Sequence, residues 1–518
     1  MGPHHEHHNA GARTRGSHVC ARAGVLARGR APRRLLRLAL LLALAPNAAA
    51  AQLISLRPVP LAAGDQFLTF PSARLGMAGV SIALDDAFAD PFANPAKLAR
   101  LNRSFVYSAP ASSDVTRDEN GLRTLPAGVM LRVGDWFGAA AGAVQRIETR
   151  SSTDIVWPGP TPEGAPAALA GTDAVNGYGF ALIGRRIATD FAVAASASYA
   201  DLNAVDGVDV MYPLSRGVQQ YGHVAGFRVG VLADSENGKA AELLVLHDRF
   251  DVRHDVTYLD WRWDASARQP LFTTRLQRNV DRTETWGLHA GYRWSITGSP
   301  WRLGAILTAN RKTHRGIPDY GLVDIPHDPG HSWAYDVGIG LARVAGASTL
   351  GIDLVFEPIR SRTRALANDT LRTASGRLLE AGDVAADNRF SFSNAILRLG
   401  AAHETDRFGV QLGLGVRSIR YDLDRHDRIV ERIQTQHEQW IEWTPTWGAA
   451  LTFPDLEIRY AGRLTTGTGE PTMRWTGAIE SLRDSPVNSF VVAPAGPPTL
   501  QQSRVTTHQI TIALPLRH

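Results

Sequence analysis

The chain has 518 residues, with 55 basic and 50 acidic side chains, a formal charge of +5 and a single cysteine. One cysteine leaves no disulfide framework and no zinc–thiolate set. The first fifty residues hold eight Arg, no Lys and one acid, so the rest has 47 basic against 49 acidic side chains, a net of −2, and lacks the basic excess of a nucleic-acid-binding face.

Residues 1–50 read as a leader removed on export. Arg33, Arg34 and Arg37 border the apolar stretch 35–45, which leads through Pro46 to the small residues Ala48–Ala51. A basic region, a short apolar core and an A-x-A-type site are the parts of a signal peptide. Eleven residues are too few to cross a bilayer as a helix. Cleavage is expected after Ala50 or Ala51, and the length ahead of Ala31 fits a start codon placed too far upstream. His4, His5, His7, His8 and Cys20 fall in the discarded piece, so neither a metal site nor a lipid anchor is expected in the exported chain.

Residues 51–101 do not alternate in polarity. Gly, Ala and Asp are dense there, and Asn94-Pro95 signals a turn. Too irregular for a strand and too long for a linker, this stretch is expected to fill the lumen of a barrel as a plug. Asp85 and Asp86 are adjacent, and adjacent carboxylates seldom converge on one substrate atom; both are expected to cap turns or bond backbone amides.

From residue 102 to 518 the pattern becomes strand-like. Phe408, Val410, Leu412, Leu414 and Val416 alternate with Gly409, Gln411, Gly413, Gly415 and Arg417. Similar alternation runs from Trp286 to Ile296, Trp301 to Asn310, Trp333 to Leu341 and Leu350 to Glu357, with aromatics near the ends of the apolar faces. Repeated segments of this kind, apolar toward lipid and polar or small toward a lumen, specify a transmembrane antiparallel up-and-down β-barrel. No run of 18 apolar residues competes with that reading.

Connections alternate in length. Short turns are expected at 134–135, 189–190, 234–239, 297–300, 345–348, 404–406 and 454–455, and long stretches at 151–175, 257–281, 364–387 and 467–503. Seven short turns imply sixteen strands, with fourteen retained as the lower bound. The last segment places Ile510, Ile512, Leu514 and Leu516 on one face, suited to closing the barrel, although the chain ends on His518 and not on Phe or Trp.

On the lumen side, Arg132, Arg228, Arg293, Arg398, Arg417 and Arg459 either receive an anionic head group or pair with Asp336, Asp353, Glu357 and Glu457. His289 is expected to be a hydrogen-bonding filler. Tyr258, Leu259, Trp261 and Trp263 form an aromatic cluster that reads equally as a girdle or as a landing site for an apolar ligand. Gly138 and Gly142 are candidates for a bulge that opens the wall. No nucleotide-binding, zinc-protease or nucleophile-elbow motif occurs in a supporting context, so no enzyme activity and no cofactor are expected.

The stretch Ser72–Gly79, with Gly76, Met77 and Gly79, then Asp85 and Asp86, then Asn94, Pro95 and Ala96, resembles the amino-terminal hatch of the outer-membrane long-chain fatty acid transporter family. That resemblance covers about 40 residues. It implies a hatch-filled barrel of fourteen strands that carries hydrophobic molecules through the outer membrane. Gly76-Met77-Ala78-Gly79 and Asn94–Lys97 also resemble the PorV-like barrels of the type nine secretion apparatus, which implies docking of secreted proteins as the alternative. The expected function is passage of hydrophobic small molecules such as long-chain fatty acids or aromatic compounds. The expected partners are outer-membrane lipids and that ligand, with the chain acting as a monomer. Phe67, Phe70 and Met77 are the expected lining of the ligand site, with Arg293 or Arg417 receiving a carboxylate.

Overall fold

A computed structural model of the chain describes residues 66, 70–115, 120–149, 172–205, 215–235, 238–264, 266, 269–314, 330–367, 369–472 and 499–516. The leader, Phe67 and much of the expected long connections lie outside these residues.

Three short helical turns come first, at Leu75–Met77, Asp90–Ala93 and Pro95–Arg100. The strands β1 (Phe105–Ser108), β2 (Ala111–Val115), β3 (Asn120–Val133), β4 (Trp136–Thr149), β5 (Thr172–Ala188), β6 (Phe191–Leu202) and β7 (Ser215–Ser235) follow. Then come β8 (Lys239–Asp264), β9 (Gln269–Ser295), β10 (Trp301–His314), β11 (Gly330–Ala345) and β12 (Ser348–Leu366). A small hairpin of β13 (Leu371–Arg372) and β14 (Leu378–Leu379) decorates the next connection. The chain continues through β15 (Val384–Glu404), β16 (Phe408–Asp427), β17 (Arg432–Phe453), β18 (Leu456–Thr472) and β19 (Thr499–Pro515).

Apart from the small hairpin, all of these join one antiparallel sheet of seventeen segments. β1 and β2 are two halves of one wall strand. Both pair with β3 on one side and β19 on the other, in one continuous register: Ser108 opposes Ala127, and Ala111 opposes Thr124. The ladder is interrupted at Ala109–Pro110. Ala109 N–H donates to the Pro126 carbonyl at 3.2 Å and Ile510 N–H to the Pro110 carbonyl at 2.9 Å. The reciprocal bonds are missing because neither proline has an N–H. Counting those halves once gives sixteen wall strands, and pairing of β1 and β2 with β19 closes the barrel. Closure leaves no unpaired edge to face lipid.

The outer face carries the expected apolar rows. On β16, Phe408, Val410 and Leu412 are exposed while Gly409 and Gln411 point inward and are buried. Trp136, Trp301, Phe408 and Phe453 stand near one end of the apolar band, and Tyr199, Tyr221, Trp286 and Tyr335 near the other. On β10, Trp301 and Arg311 are ten residues apart. That is about 33 Å of strand, or about 25 Å of height at a tilt near 40°. It matches the apolar band of a barrel that spans a membrane.

All seven short turns join strands on the same rim. The stretch 257–281, expected to be a long loop, is instead a continuation of the β8–β9 hairpin, paired out to Asp264 opposite Gln269. Its outward ionic rows extend the ladder past the apolar band. Asp255 on β8 lies 3.2 Å from Arg278 on β9, while Val252 and Val256 are buried on the inner face.

Candidate functional site

The segment Phe70–Leu101 lies against inner-face residues around the barrel, near the short-turn rim. It carries the expected motif, and local chemistry shapes it. The turn Leu75–Met77 ends on Ala78 with φ 55, and Gly79 follows with φ 70. Asp86 gathers four backbone donors, from Ala73, Arg74, Phe88 and Ala89 at 3.0–3.2 Å, and accepts the Ser72 hydroxyl at 2.6 Å. This is the backbone role expected of it. Asn94, expected in a turn, caps the helical turn that begins at Pro95, accepting the Ala96 N–H at 3.1 Å.

Asp85 does something different from its neighbour. It bonds Arg100 of its own segment and Arg293 of β9. Burial works against its charge, but those two guanidinium groups outweigh burial and hold the carboxyl below its ordinary value. Arg100 also reaches Asp234 at the end of β7, at 2.8 Å. Beside this group, Lys97 lies 3.4 Å from Asp90 and 3.0 Å from Glu242 on β8. Burial pushes the Asp90 carboxyl up to about 6, with Asp86, Asp85 and Glu242 adding to the rise and Lys97 opposing it. Burial alone would lower the Lys97 ammonium, but Asp90 and Glu242 raise it above its ordinary value. Asn94 donates to Glu242 at 2.9 Å, and His289 shares a hydrogen bond with Thr308 at 2.9 Å, the filler role expected of it. The result is an ionic latch between this segment and strands β7–β9.

On the other side of the lumen the contacts are neutral or single-charged. Asp353 on β12 accepts the N–H groups of Ser81 and Ile82 at 2.8 and 3.2 Å. Thr446 on β17 accepts from the Ala78 N–H and donates to the Gly76 carbonyl, both at 2.9 Å. Gln411 on β16 donates to the Ala73 carbonyl at 2.8 Å, and Gln509 on β19 to the Phe70 carbonyl at 3.2 Å. Close approach is possible because the wall is bare there. A Cβ on Gly400 would stand 2.6 Å from the Met77 carbonyl oxygen, and one on Gly413 would stand 2.5 Å from the Ala78 nitrogen.

The expected ligand-site residues do not gather in one place. Phe70 stacks on Phe92 with ring centroids 3.8 Å apart, beside Phe180. Met77 is fully buried in a separate cluster with Val80, Ala83 and Leu84. Arg293 is committed to Asp85, and Arg417 donates to Glu357 at 2.8 Å. Arg132 donates to the Leu101 carbonyl at 2.9 Å, and Arg228 donates to that of Phe92. Arg459 pairs with Glu404 at 3.0 Å and with Glu457. The side chains of Tyr258, Leu259, Trp261 and Trp263 lie outside the described residues, as does Phe67.

Gly138 and Gly142 require a correction. Gly138 opposes Leu131 and Ile183, and Gly142 opposes Ala127 and Gly179, in unbroken register with both neighbouring strands. No extra residue is inserted there, so the ladder has nothing to bulge around. The interruption at Ala109–Pro110 lies two wall strands away.

One feature of the lumen was not anticipated. On β16 the apolar residues change faces: Val416 is the last on the lipid side, and Ile419, Tyr421 and Leu423 are buried on the inner side. With Ile359 of β12 and Phe392 of β15 they form an apolar wall inside the half of the barrel away from the short turns. Phe392 and Tyr421 have ring centroids 4.9 Å apart. Facing strands carry a second such patch, of Leu202, Val252 and Ala200 packed with Phe250. The signal was in the sequence, in the run Ser418-Ile419-Arg420-Tyr421-Asp422-Leu423-Asp424, where odd positions become apolar and even ones polar.

No known family model matches this sequence, and no curated protein does. Among solved structures, a FadL homologue of Pseudomonas aeruginosa is similar over 86% of this chain and 99% of its own, at 12% identity and a TM-score of 0.43. The toluene transporter TodX of Pseudomonas putida is similar over 85% and 96%, at 12% identity and a TM-score of 0.39. A bacterial polysaccharide outer membrane secretin is similar over 80% and 99%, at 8% identity and a TM-score of 0.37.

Proposed function

We propose that this chain is an outer-membrane channel for hydrophobic small molecules such as long-chain acids or aromatic compounds, with residues 51–101 as its hatch. The observation that carries this reading is the apolar inner wall of Ile359, Phe392, Ile419, Tyr421 and Leu423. Its strands face outward there with Arg360, Arg420 and Asp422, so this part of the barrel stands clear of the apolar band. A collar that is charged outside and apolar inside gives an oily solute an entry from water.

From that collar a ligand would move toward the short-turn end. Arg417 lies two residues below Ile419 on the same inner face, with its side chain 39% exposed beside Glu357. It is the proposed receiver of a carboxylate. Phe70 offers the next apolar surface. Met77 becomes reachable only when the hatch shifts, because its side chain is fully buried. Release then follows either from release of the latch between Asp85 and Arg293 or through a parting of the wall at Ala109–Pro110. The short-turn rim would face the periplasm, consistent with an exported leader at residues 1–50.

The test is uptake of dodecanoate and of toluene by outer-membrane vesicles with and without the protein. Faster entry of at least one solute, lost on Ile419→Asp with Leu423→Asp, supports the reading. Equal entry with the folded protein present would end it.

A further inference from the structure

Above the lipid-facing band on strands β10, β11, β12 and β15, the outer wall changes character in an ordered way. Leu307, Val337 and Phe356 form an apolar row. Tyr335 stands above it, in contact with Trp333, with rings 6.1 Å apart and 4° from parallel. Trp333 is opposite Arg311 on β10 and Arg360 on β12. The next row holds His331, Arg362 and Arg389 in register.

The four arginines are exposed on the outside of the wall. Arg362 and Arg389 sit directly opposite each other, a placement in which like charges repel. Asp387 is the carboxylate between them, 2.8 Å from Arg362 and 3.6 Å from Arg389. Arg311 lies over the Trp333 ring at 5.8 Å. Arg311 and Arg360 have no carboxylate partner among the described residues. They flank Trp333 at a separation of about 10 Å, two strand spacings. Elsewhere at this height, described outward arginines meet a carboxylate. Arg249 and Arg282 share Asp251, at 3.5 and 3.3 Å, and Arg123 holds Asp114 at 2.8 Å.

We propose that this face binds the phosphate-bearing head group of a membrane lipid in the leaflet on the long-loop side. Three relations support it. Among the described residues of these four strands, cations exceed carboxylates at this height, with Asp424 of β16 opposite Arg389 at the edge of the face. The cations begin at the row occupied by an interfacial tryptophan, which is where head groups lie. Two guanidinium forks about 10 Å apart suit a head group with more than one phosphate oxygen cluster, since arginine binds phosphate bidentately. The acyl chains of such a lipid would run down the row of Leu307, Val337 and Phe356. This binding is independent of what passes through the lumen.

The test uses the purified full-length barrel in detergent, mixed with diphosphorylated lipid A, with its dephosphorylated form, or with inorganic phosphate alone. Native mass spectrometry counts retained lipid, and heat-dependent gel migration checks folding. Each arginine near the head-group layer contributes about 1 kcal/mol, so Arg311→Gln with Arg360→Gln and Arg362→Gln should weaken retention on the order of a hundredfold. The matched variant Arg123→Gln, Arg249→Gln and Arg282→Gln should retain lipid as the unaltered protein does. Equal retention of the dephosphorylated lipid, or equal loss in both folded triple variants, would overturn the proposal. Stabilisation by inorganic phosphate alone, with no lipid retained, would also overturn it by identifying a free-anion site.

Discussion

The Asp353 carboxylate on β12 accepts the backbone N–H of Ser81 at 2.8 Å, so a wall strand holds the backbone of the lumenal segment directly. The same oxygen takes the Ile82 N–H at 3.2 Å. Removing the acceptor strands a donor at a buried position, a cost of roughly 1–3 kcal/mol. Asp353→Ala is therefore expected to loosen the segment and raise single-channel conductance in planar bilayers, while heat-dependent gel migration shows the barrel intact. Asp353→Asn keeps an acceptor and should leave conductance near that of the unaltered protein.

Bare backbone on the inner wall makes a second prediction. Gly400→Ala and Gly413→Ala each force a Cβ to within 2.6 Å of the segment's backbone. Backbone cannot swing aside as a side chain can, so the segment must lift from the wall. Both variants should show increased conductance and faster protease cleavage between residues 70 and 101. Gly142→Ala is the control, because its Cβ would meet the Tyr178 carbonyl at an ordinary 3.5 Å. It should behave as the unaltered protein, and a large effect there would revive the wall opening once expected at that glycine.

The ionic latch should show coupling. Arg293 and Arg100 share Asp85, whose side chain is 39% exposed. Solvent screening at that exposure limits the pair with Arg293 to about 1 kcal/mol. A double-mutant cycle of Asp85→Asn and Arg293→Gln, read through the rate of segment cleavage, should give a coupling of about that size. Simple additivity would mean that Arg293 does not restrain the segment.

Holding of the segment should depend on pH, with a maximum. Asp90 carries a carboxyl raised by burial from 3.8 to about 6, so its contribution is complete below the unfolded value and is lost as pH rises through about 6. Asp85 is shifted the other way, so its contribution is present above the unfolded value and is lost as pH falls through its lowered folded value. Conductance should be lowest between the two limits, rising toward neutral pH and again in strong acid. Lys97, Asp86 and Glu242 also face Asp90 and set its level, but Asp90→Asn alone should remove the rise above about pH 6. A rise that persists in Asp90→Asn would assign it to another group.

Much of the wall was legible because a bilayer imposes one rule on every strand. The period-two pattern from Phe408 to Val416 placed lipid and lumen faces correctly, and seven turn signals gave sixteen strands. What misled was the use of that rule beyond the bilayer. The expected long connection at 257–281 is strand because in water a paired ladder can run on past the bilayer, here to Asp264 opposite Gln269, and can also invert its faces, with charge outside. The same inversion hid the apolar collar at Ile419–Leu423. Contacts of the lumenal segment were harder still. Asp86 could be read as a local cap because its partners lie within fourteen residues, whereas Asp85 and Arg293 are 208 residues apart. Gly138 and Gly142 looked like bulges since glycine permits them, but permission without an inserted residue leaves the ladder whole.

The central claim is that the lumen takes up an apolar solute at the collar of Ile419, Tyr421 and Leu423. The most direct measurement is calorimetric titration of the purified barrel with dodecanoate below its micellar concentration. Saturable one-site binding at micromolar affinity, about 8 kcal/mol, is expected. It should be lost in the folded variant with Ile419→Asp and Leu423→Asp. Absence of saturable binding in the unaltered barrel, or equal binding in that variant, would contradict the account.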